Sequence, residues 1–350
     1  MTLEVNTKQP RKYRGLFFNL LAVFAAIFGL VACSNSNEED AIRFGGETMG
    51  TTYNIVYIDS ANRTFDQEVD SVLVFYNSIL STYDPNSTIS AFNNSEVGIS
   101  LSEPALTWFS AIITTADDVY DATDGAFNIA IGPTVKYWGF YDKETSLTIV
   151  PGNSVIDSLI NITNWQGISL KGDSILKAAP AMTLDVNSIA PGHACDVLGA
   201  FFEAKGIDRY IIEIGGEIRA RGLNAFNKPW TVGIRQPEEL SDEMAYTISL
   251  NNKSLATSGN YNKYIEINGV KLGHTIDPRI AKPAVNELLS ATITAKDAIT
   301  ADAFATACMV LGLEDSKLLL EANNDLEGYL IYSDNEGYYK DYKSSGLKNK

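Results

Sequence analysis

The sequence predicts an α+β protein with mixed sheets flanked by helices, and three observations carry that prediction. Phe65 to Leu80 and about Pro104 to Ala122 place apolar residues at helical spacing. Shorter runs rich in Thr, Tyr, Ile and Val alternate as strands do, and Gly215–Gly216 between two of them is a two-residue hairpin signal. The stretch TITAKDAITADAFATACMVLG, Thr292 to Gly312, reads as an alanine-rich helix that Asp297 can cap and Gly312 can end. With 350 residues, 45% hydrophobic and 20% charged, the chain is long enough for one large or two modest globular domains.

The elements follow in order. Residues 8–14 are basic, Leu16 to Ala32 are almost wholly apolar, and LVAC precedes the polar SNSNEED. That pattern is a signal peptide over 1–32, not a spanning helix, followed by a tether over 33–42. The ending Leu30, Val31, Ala32, Cys33 resembles a bacterial lipobox, which would place a lipid on Cys33 and anchor the protein to a membrane of the cell envelope on its extracytoplasmic side. Arg43 to Ile58 reads as a strand or hairpin containing Met49 and Gly50. After the first helix, STYDPNSTISAFN is dense in turn formers; its Tyr83 can stack on a planar ligand or pack under the loop.

The second helix runs into TDGAFNIAIGPTVKYWGF, where glycines permit either close approach of a ligand or tight packing. Residues 144–180 suit a β-rich connection or a small insert. MTLDVNSIAPGHACDVLGAFFEAKG reads as a strand ending near Asp185, a loop through Pro191 and Gly192, and a helix from about His193 to Lys205. TVGIRQP and YTISL are expected to continue the sheet, with a turn at Ser258 to Asn260. LEGYLIYSDNEGYYKDY reads as a closing hairpin and SSGLKNK as a frayed tail.

Charge and residue counts restrict the chemistry. The net charge is -16, and the first 32 residues are basic, so the remainder is more acidic still and repels nucleic acid. An anionic nucleotide would need backbone donors, a helix N-terminus or a metal ion. Only Cys33, Cys195 and Cys308 and only His193 and His274 occur, which excludes a disulfide framework and a polyhistidine metal site. Asp302 and Thr306, four residues apart, share a helix face lined by alanines and offer hard oxygen ligands suited to magnesium or calcium. An isolated pair of this kind is more often a solvated acid and a core filler. His274, three residues before Asp277, fits a general base or a hydrogen-bonded structural residue equally well.

Nine segments in order, ETMGTTYNI, STYDPNSTISAFN, TDGAFNIAIGPTVKYWGF, LDVNSIAPGHACD, IEIGGEIRARG, GIRQP, LATSGNY, GHTIDPR and ADAFAT, resemble the ApbE family of FAD:protein FMN transferases. The resemblance implies a T-fold-like domain over 43–345, built as two interlocked lobes. It also implies a magnesium-dependent enzyme that moves FMN from FAD to a threonine of an exported or membrane-bound redox subunit and releases AMP. Met49, Tyr83, Ala126, Phe127, Asn128, Asp185 and Ile276 fall on its flavin-nucleotide positions. Asp302 and Thr306 fall on magnesium side chains, Ser188 on a main-chain oxygen ligand, and His274 on an active-site histidine able to help deprotonate the acceptor. The chain departs from the family at Pro191, where a lysine is usual, at Asn128, where aspartate is common, and at Ile280 and Ala281, where threonine and glycine are usual. A FAD pyrophosphatase using the same site and a flavin-binding lipoprotein without turnover are the alternatives.

Overall fold

Turn chemistry sets the first strand pair. In the computed structural model, which describes residues 41–140, 151–236, 244–260, 264–267 and 270–348, β1 (Ala41–Thr48) and β2 (Thr51–Ile58) are joined at Met49 and Gly50. Both of these residues have positive φ, 52° and 73°, as a tight hairpin turn demands. The signal-peptide and tether expectations lie outside the described residues, apart from Ala41 and Ile42. α1 (Asp66–Leu80) buries Val69, Leu73, Tyr76, Ile79 and Leu80, the stripe that its spacing predicts.

The loop expected after it contains a helix, α2 (Thr88–Asn94), started by the Ser87 hydroxyl, which accepts from the Ser90 N–H at 3.1 Å. β3 (Gly98–Ser100), α3 (Ala105–Ala122) and α4 (Gly132–Tyr137) follow. Within the connection expected to be β-rich, the described residues first form a helix, α5 (Asn153–Ile162), which buries Ile156 and Leu159 on one side, and then β4 (Ile168–Lys171) and β5 (Ser174–Lys177). The strand expected to end near Asp185 does not form over 182–185, and α6 (Ala190–Ala204) begins three residues earlier than expected.

β6 (Tyr210–Ile214) and β7 (Glu217–Arg221) form the hairpin around Gly215–Gly216. Then come β8 (Trp230–Arg235), β9 (Met244–Leu250), β10 (Ser254–Gly259), β11 (Tyr264–Ile267) and β12 (Val270–Gly273). Ser258 and Gly259 belong to β10 and pair with β15, as strand residues where a turn was expected to start. β13 (Ile276–Asp277), β14 (Lys282–Pro283) and β15 (Leu288–Ala295) lead into α7 (Ala298–Leu311) and α8 (Leu313–Ala322). β16 (Glu327–Ser333) and β17 (Tyr339–Lys343) make the closing hairpin. The expected frayed tail is helical at α9 (Ser345–Lys348), held down by buried Leu347.

The central sheet has the order β1-β2-β6-β7-β10-β15-β16-β17, and the described strand pairings are all antiparallel. Strand alternation separates two cores. Tyr210, Ile212 and Ile214 face a large cluster shared with α1, α3, α6 and α7, whereas Ile218, Ala220 and Leu255 face the opposite side. β8 and β9 do not extend the sheet as expected; they pair with each other and cover that opposite side through Trp230, Ile234, Ile248 and Leu250. A third cluster joins Trp138 of the α4 end to Ile156 and Leu159 of α5 and to Ile276 and Ala281. No helix among the described residues is long and apolar enough to cross a membrane.

Candidate active site

α7 forms where its cap, spacing and terminal glycine predict it. Asp297 caps the helix by accepting from the Thr300 N–H at 3.1 Å, and Gly312 ends it at a φ of 78°. Asp302 is 4% exposed, so it is not the solvated acid of the bland reading. Its Oδ2 accepts from the Gly192 N–H of α6 at 3.0 Å. One turn further on, the Thr306 hydroxyl lies 3.2 Å from Ser258 Oγ of β10.

Burial pushes the Asp302 carboxyl well above the usual carboxylate range, opposed by the Gly192 N–H and reinforced by Asp196. Burial also raises Glu217, half-buried at the start of β7, and the Asp302 charge raises it further. Carboxylates whose charges act on one another in a low-dielectric site are stabilised by a nearby cation. Among the described residues no three His, Cys, Asp or Glu side chains converge into a cage. The donors at hand are a carboxylate, a hydroxyl and main-chain oxygen. They fit magnesium, which takes one or two carboxylates and leaves the remaining positions to water and substrate phosphate.

The surrounding elements converge on this end of the sheet. The Gly215 N–H donates to the Thr52 carbonyl at 3.0 Å, which brings the Gly215–Gly216 turn against the turn holding Met49. Ser188 is half-buried in the turn leading into α6, and the Gly192 N–H that could close a helical bond to its carbonyl is directed to Asp302 instead. His274 is half-buried just beyond β12; its neighbour Thr275 donates to Asn260 Oδ1 at 2.6 Å, immediately after the strand that carries Ser258.

The positions expected to meet the flavin nucleotide divide into two kinds. Tyr83 is 67% exposed, and its hydroxyl pKa is raised by partial burial and then by the charge of Asp185. The Asp185 N–H donates to the Ile129 carbonyl at 2.7 Å, so this loop lies beside the Asn128 segment. Asn128 in turn lines a cavity of about 300 Å³ with Tyr120, Asp124, Asn164, Trp165 and Arg279. Ala126, Phe127 and Ile276 are buried side chains, Phe127 in the main core and Ile276 in the cluster around Trp138. Any contact they make with a ligand therefore runs through their main chain.

Sequence reasoning missed Arg279, although the DPR tripeptide was its signal. Its guanidinium grips Asp277 at 2.9 and 2.8 Å and presents a cation on the cavity wall. It also missed Trp165, whose indole N–H donates to Asp117.

The departures have physical readings. Asn128 Oδ1 accepts from the Ala130 N–H and its Nδ2 donates to the Thr163 carbonyl, both at 2.7 Å. An aspartate would set oxygen against that carbonyl, so the asparagine is built into this loop. Pro191 stands in the first turn of α6, where a missing N–H breaks no helical bond and a fixed φ is preorganised. It still supplies no charge. Pro191→Lys is expected to tighten FAD binding by about 1 kcal/mol at low salt, an advantage that shrinks as salt is added. Fluorescence titration checks this: weaker binding at both salts in a folded variant would mean the loop requires proline. Ala281 is fully buried at a φ of 51°, left-handed backbone that penalises a side chain. Ala281→Gly should stabilise the protein by about 1 kcal/mol, read as a higher denaturation midpoint; an unchanged or lower midpoint would show that the strain is relieved elsewhere.

An antiparallel sheet with α1, α3, α6 and α7 on one face and a buried helix-borne carboxylate at its end defines a flavin-transferase type of fold when set beside known proteins. The structure superposes on the flavin transferase ApbE from Vibrio cholerae with a TM-score of 0.78 at 32% identity, covering 89% of this chain and 99% of that one. The apo form of the Pseudomonas stutzeri flavinyl transferase ApbE gives 0.78 at 28% identity, over 89% and 96%. A FAD:protein FMN transferase of Vibrio cholerae is 33% identical over 336 residues, 94% of this chain and 98% of its own length. Its Escherichia coli K12 counterpart is 31% identical over 329 residues, 90% and 92%. The ApbE family pattern matches residues 49–330, and the chain belongs to the ApbE family.

Proposed function

We propose that this protein is a FAD:protein FMN transferase that uses magnesium, transfers FMN to a threonine hydroxyl and releases AMP. The observation that carries the reading is the buried Asp302 carboxylate, sharing a helix face with Thr306 and tied to the start of α6, in a chain that matches the family over residues 49–330. Asp302, Thr306 and the Ser188 main-chain oxygen would hold the ion. When bound, it neutralises the diphosphate and polarises the phosphorus under attack.

Tyr83 supplies an exposed ring for stacking, and Asp185 and Asn128 border the nucleotide's path. The acceptor threonine oxygen forms a bond to the FMN phosphorus as the bridging P–O bond breaks. AMP leaves with that electron pair, and His274 takes the hydroxyl proton. Incubation with FAD, magnesium and a threonine-bearing domain of an exported redox protein is expected to give AMP in step with flavinylated acceptor. FMN and AMP with unmodified acceptor would make the protein a pyrophosphatase; intact bound FAD would make it a flavin carrier.

The same reading places the protein in a bacterial cell envelope, lipid-anchored through Cys33 on the extracytoplasmic side, where an exported redox subunit would be its acceptor. The lipobox-like LVAC sequence supports this. Cys33→Ser should move the protein from the membrane fraction to a soluble form or leave an uncleaved precursor. Unaltered membrane partition together with an unaltered N-terminal lipopeptide would exclude the anchor.

A further inference from the structure

α6 and α7 exchange carboxylates. Asp302 of α7 reaches the N-terminal turn of α6, as described, and Asp196 in the second turn of α6 reaches the N-terminal turn of α7. Asp196 Oδ1 accepts from the Ala298 N–H at 3.0 Å and Oδ2 from the Ile299 N–H at 2.9 Å. Together with Asp297 on the Thr300 N–H, the first three N–H groups of α7 are satisfied, two of them from another helix. Asp196 is itself tied to the sheet by Arg219 of β7, whose guanidinium meets Oδ1 at 2.6 Å and also grips Glu203 at 3.1 Å.

The two helices touch closely enough that a Cβ on Gly192 would stand 2.4 Å from the Ala298 carbonyl oxygen. Ala298, Asp302 and Thr306 follow at intervals of four and so lie along one helix face. A clamp on the Ala298 and Ile299 N–H groups therefore fixes both the rotation and the axial position of the face that carries the two oxygen donors. The same aspartate belongs to the helix that Ser188 leads into, so it sets the two sides of the site relative to each other.

We propose that Asp196 is a positioning residue for the magnesium site: by bridging α6, the α7 N-terminus and Arg219, it sets the separation between the Ser188 carbonyl and the Asp302 and Thr306 oxygens. The proposal rests on the reading that Asp302 and Thr306 hold the ion. Its chemistry is geometric. A metal that demands near-octahedral oxygen placement is sensitive to small shifts of one ligand-bearing helix against the other. Asp196 does not touch the ion.

The test is the dissociation constant for Mn²⁺ alone, measured by electron paramagnetic resonance on the full protein well below its melting temperature. Asp196→Asn, which keeps one acceptor oxygen but loses the second acceptor and the charge, should weaken Mn²⁺ binding about 10-fold or more. Arg219→Gln, which leaves both caps in place but frees Asp196 from the sheet, should weaken it less, and it supplies the test should Asp196→Asn not fold. In transfer assays the Asp196→Asn defect should appear as a raised magnesium requirement, with kcat recovered at saturating metal. A purely structural role would lower the melting temperature while leaving the Mn²⁺ constant of the folded protein at its wild-type value, and that result overturns the proposal. Asp302→Asn is measured alongside. If it loses Mn²⁺ while Asp196→Asn and Arg219→Gln do not, the positioning role fails and the metal assignment stands; if none of the three changes, the metal assignment itself fails.

Discussion

Asp302→Asn is expected to raise the magnesium concentration needed for half-maximal flavin transfer by at least about 10- to 100-fold, the range seen when groups supporting a metal site are lost. The asparagine oxygen can still accept from the Gly192 N–H, so the α6–α7 contact survives while the one charged donor on this helix face disappears. Thr306→Ala removes a neutral donor whose hydroxyl is shared with Ser258, and its effect should be smaller. The order of the two variants matters as much as their size. Coincident magnesium titrations for wild type and Asp302→Asn, with circular dichroism showing both folded, would remove Asp302 from the metal site.

Gly192→Ala should lower stability by about 1–3 kcal/mol and impair metal use at the same time. The added Cβ would meet the Ala298 carbonyl oxygen at 2.4 Å, the Ala298 carbonyl carbon at 2.8 Å and the Asp302 Cβ at 2.8 Å. Two of these are backbone atoms, so no side chain can swing aside to make room. α6 and α7 must separate, which lengthens the Gly192 N–H to Asp302 bond and moves the carboxylate away from Ser188. Thermal unfolding and a magnesium titration on the same variant check both halves. A variant with wild-type melting behaviour and wild-type magnesium dependence would show that the two helices tolerate separation.

What the sequence disclosed follows from the range of the interactions. α7 was legible because its cap, its spacing and its terminal glycine lie within one stretch of chain, and the β6–β7 hairpin was legible from Gly215–Gly216. α2 hid among turn formers that include its own cap, Ser87, and α5 hid because its Val/Ile/Leu runs lie between PGN and NW breaks that also suit strands. That β8 and β9 leave the sheet to cover its outer face is a choice of partner, and no local pattern encodes it. The candidate site divides in the same way. Asp302 and Thr306 were visible as a pair at helical spacing. The bond from Gly192 to Asp302 spans 110 residues and the one from Ala298 to Asp196 spans 102, so the partners that bury and orient the pair emerge only with the fold. Ala126, Phe127 and Ile276 were found through family resemblance, and their burial shows why composition alone could not assign them a ligand role.

The most direct measurement is a fragment mass spectrum of the acceptor domain after incubation with the protein, FAD and magnesium, run with wild type and with Asp302→Asn. The expected product is an FMN phosphoester on one threonine side chain of the acceptor, formed in step with AMP, dependent on magnesium and strongly reduced by Asp302→Asn. An unmodified acceptor beside free FMN and AMP, or a modification formed equally well by Asp302→Asn across the magnesium titration, would contradict it.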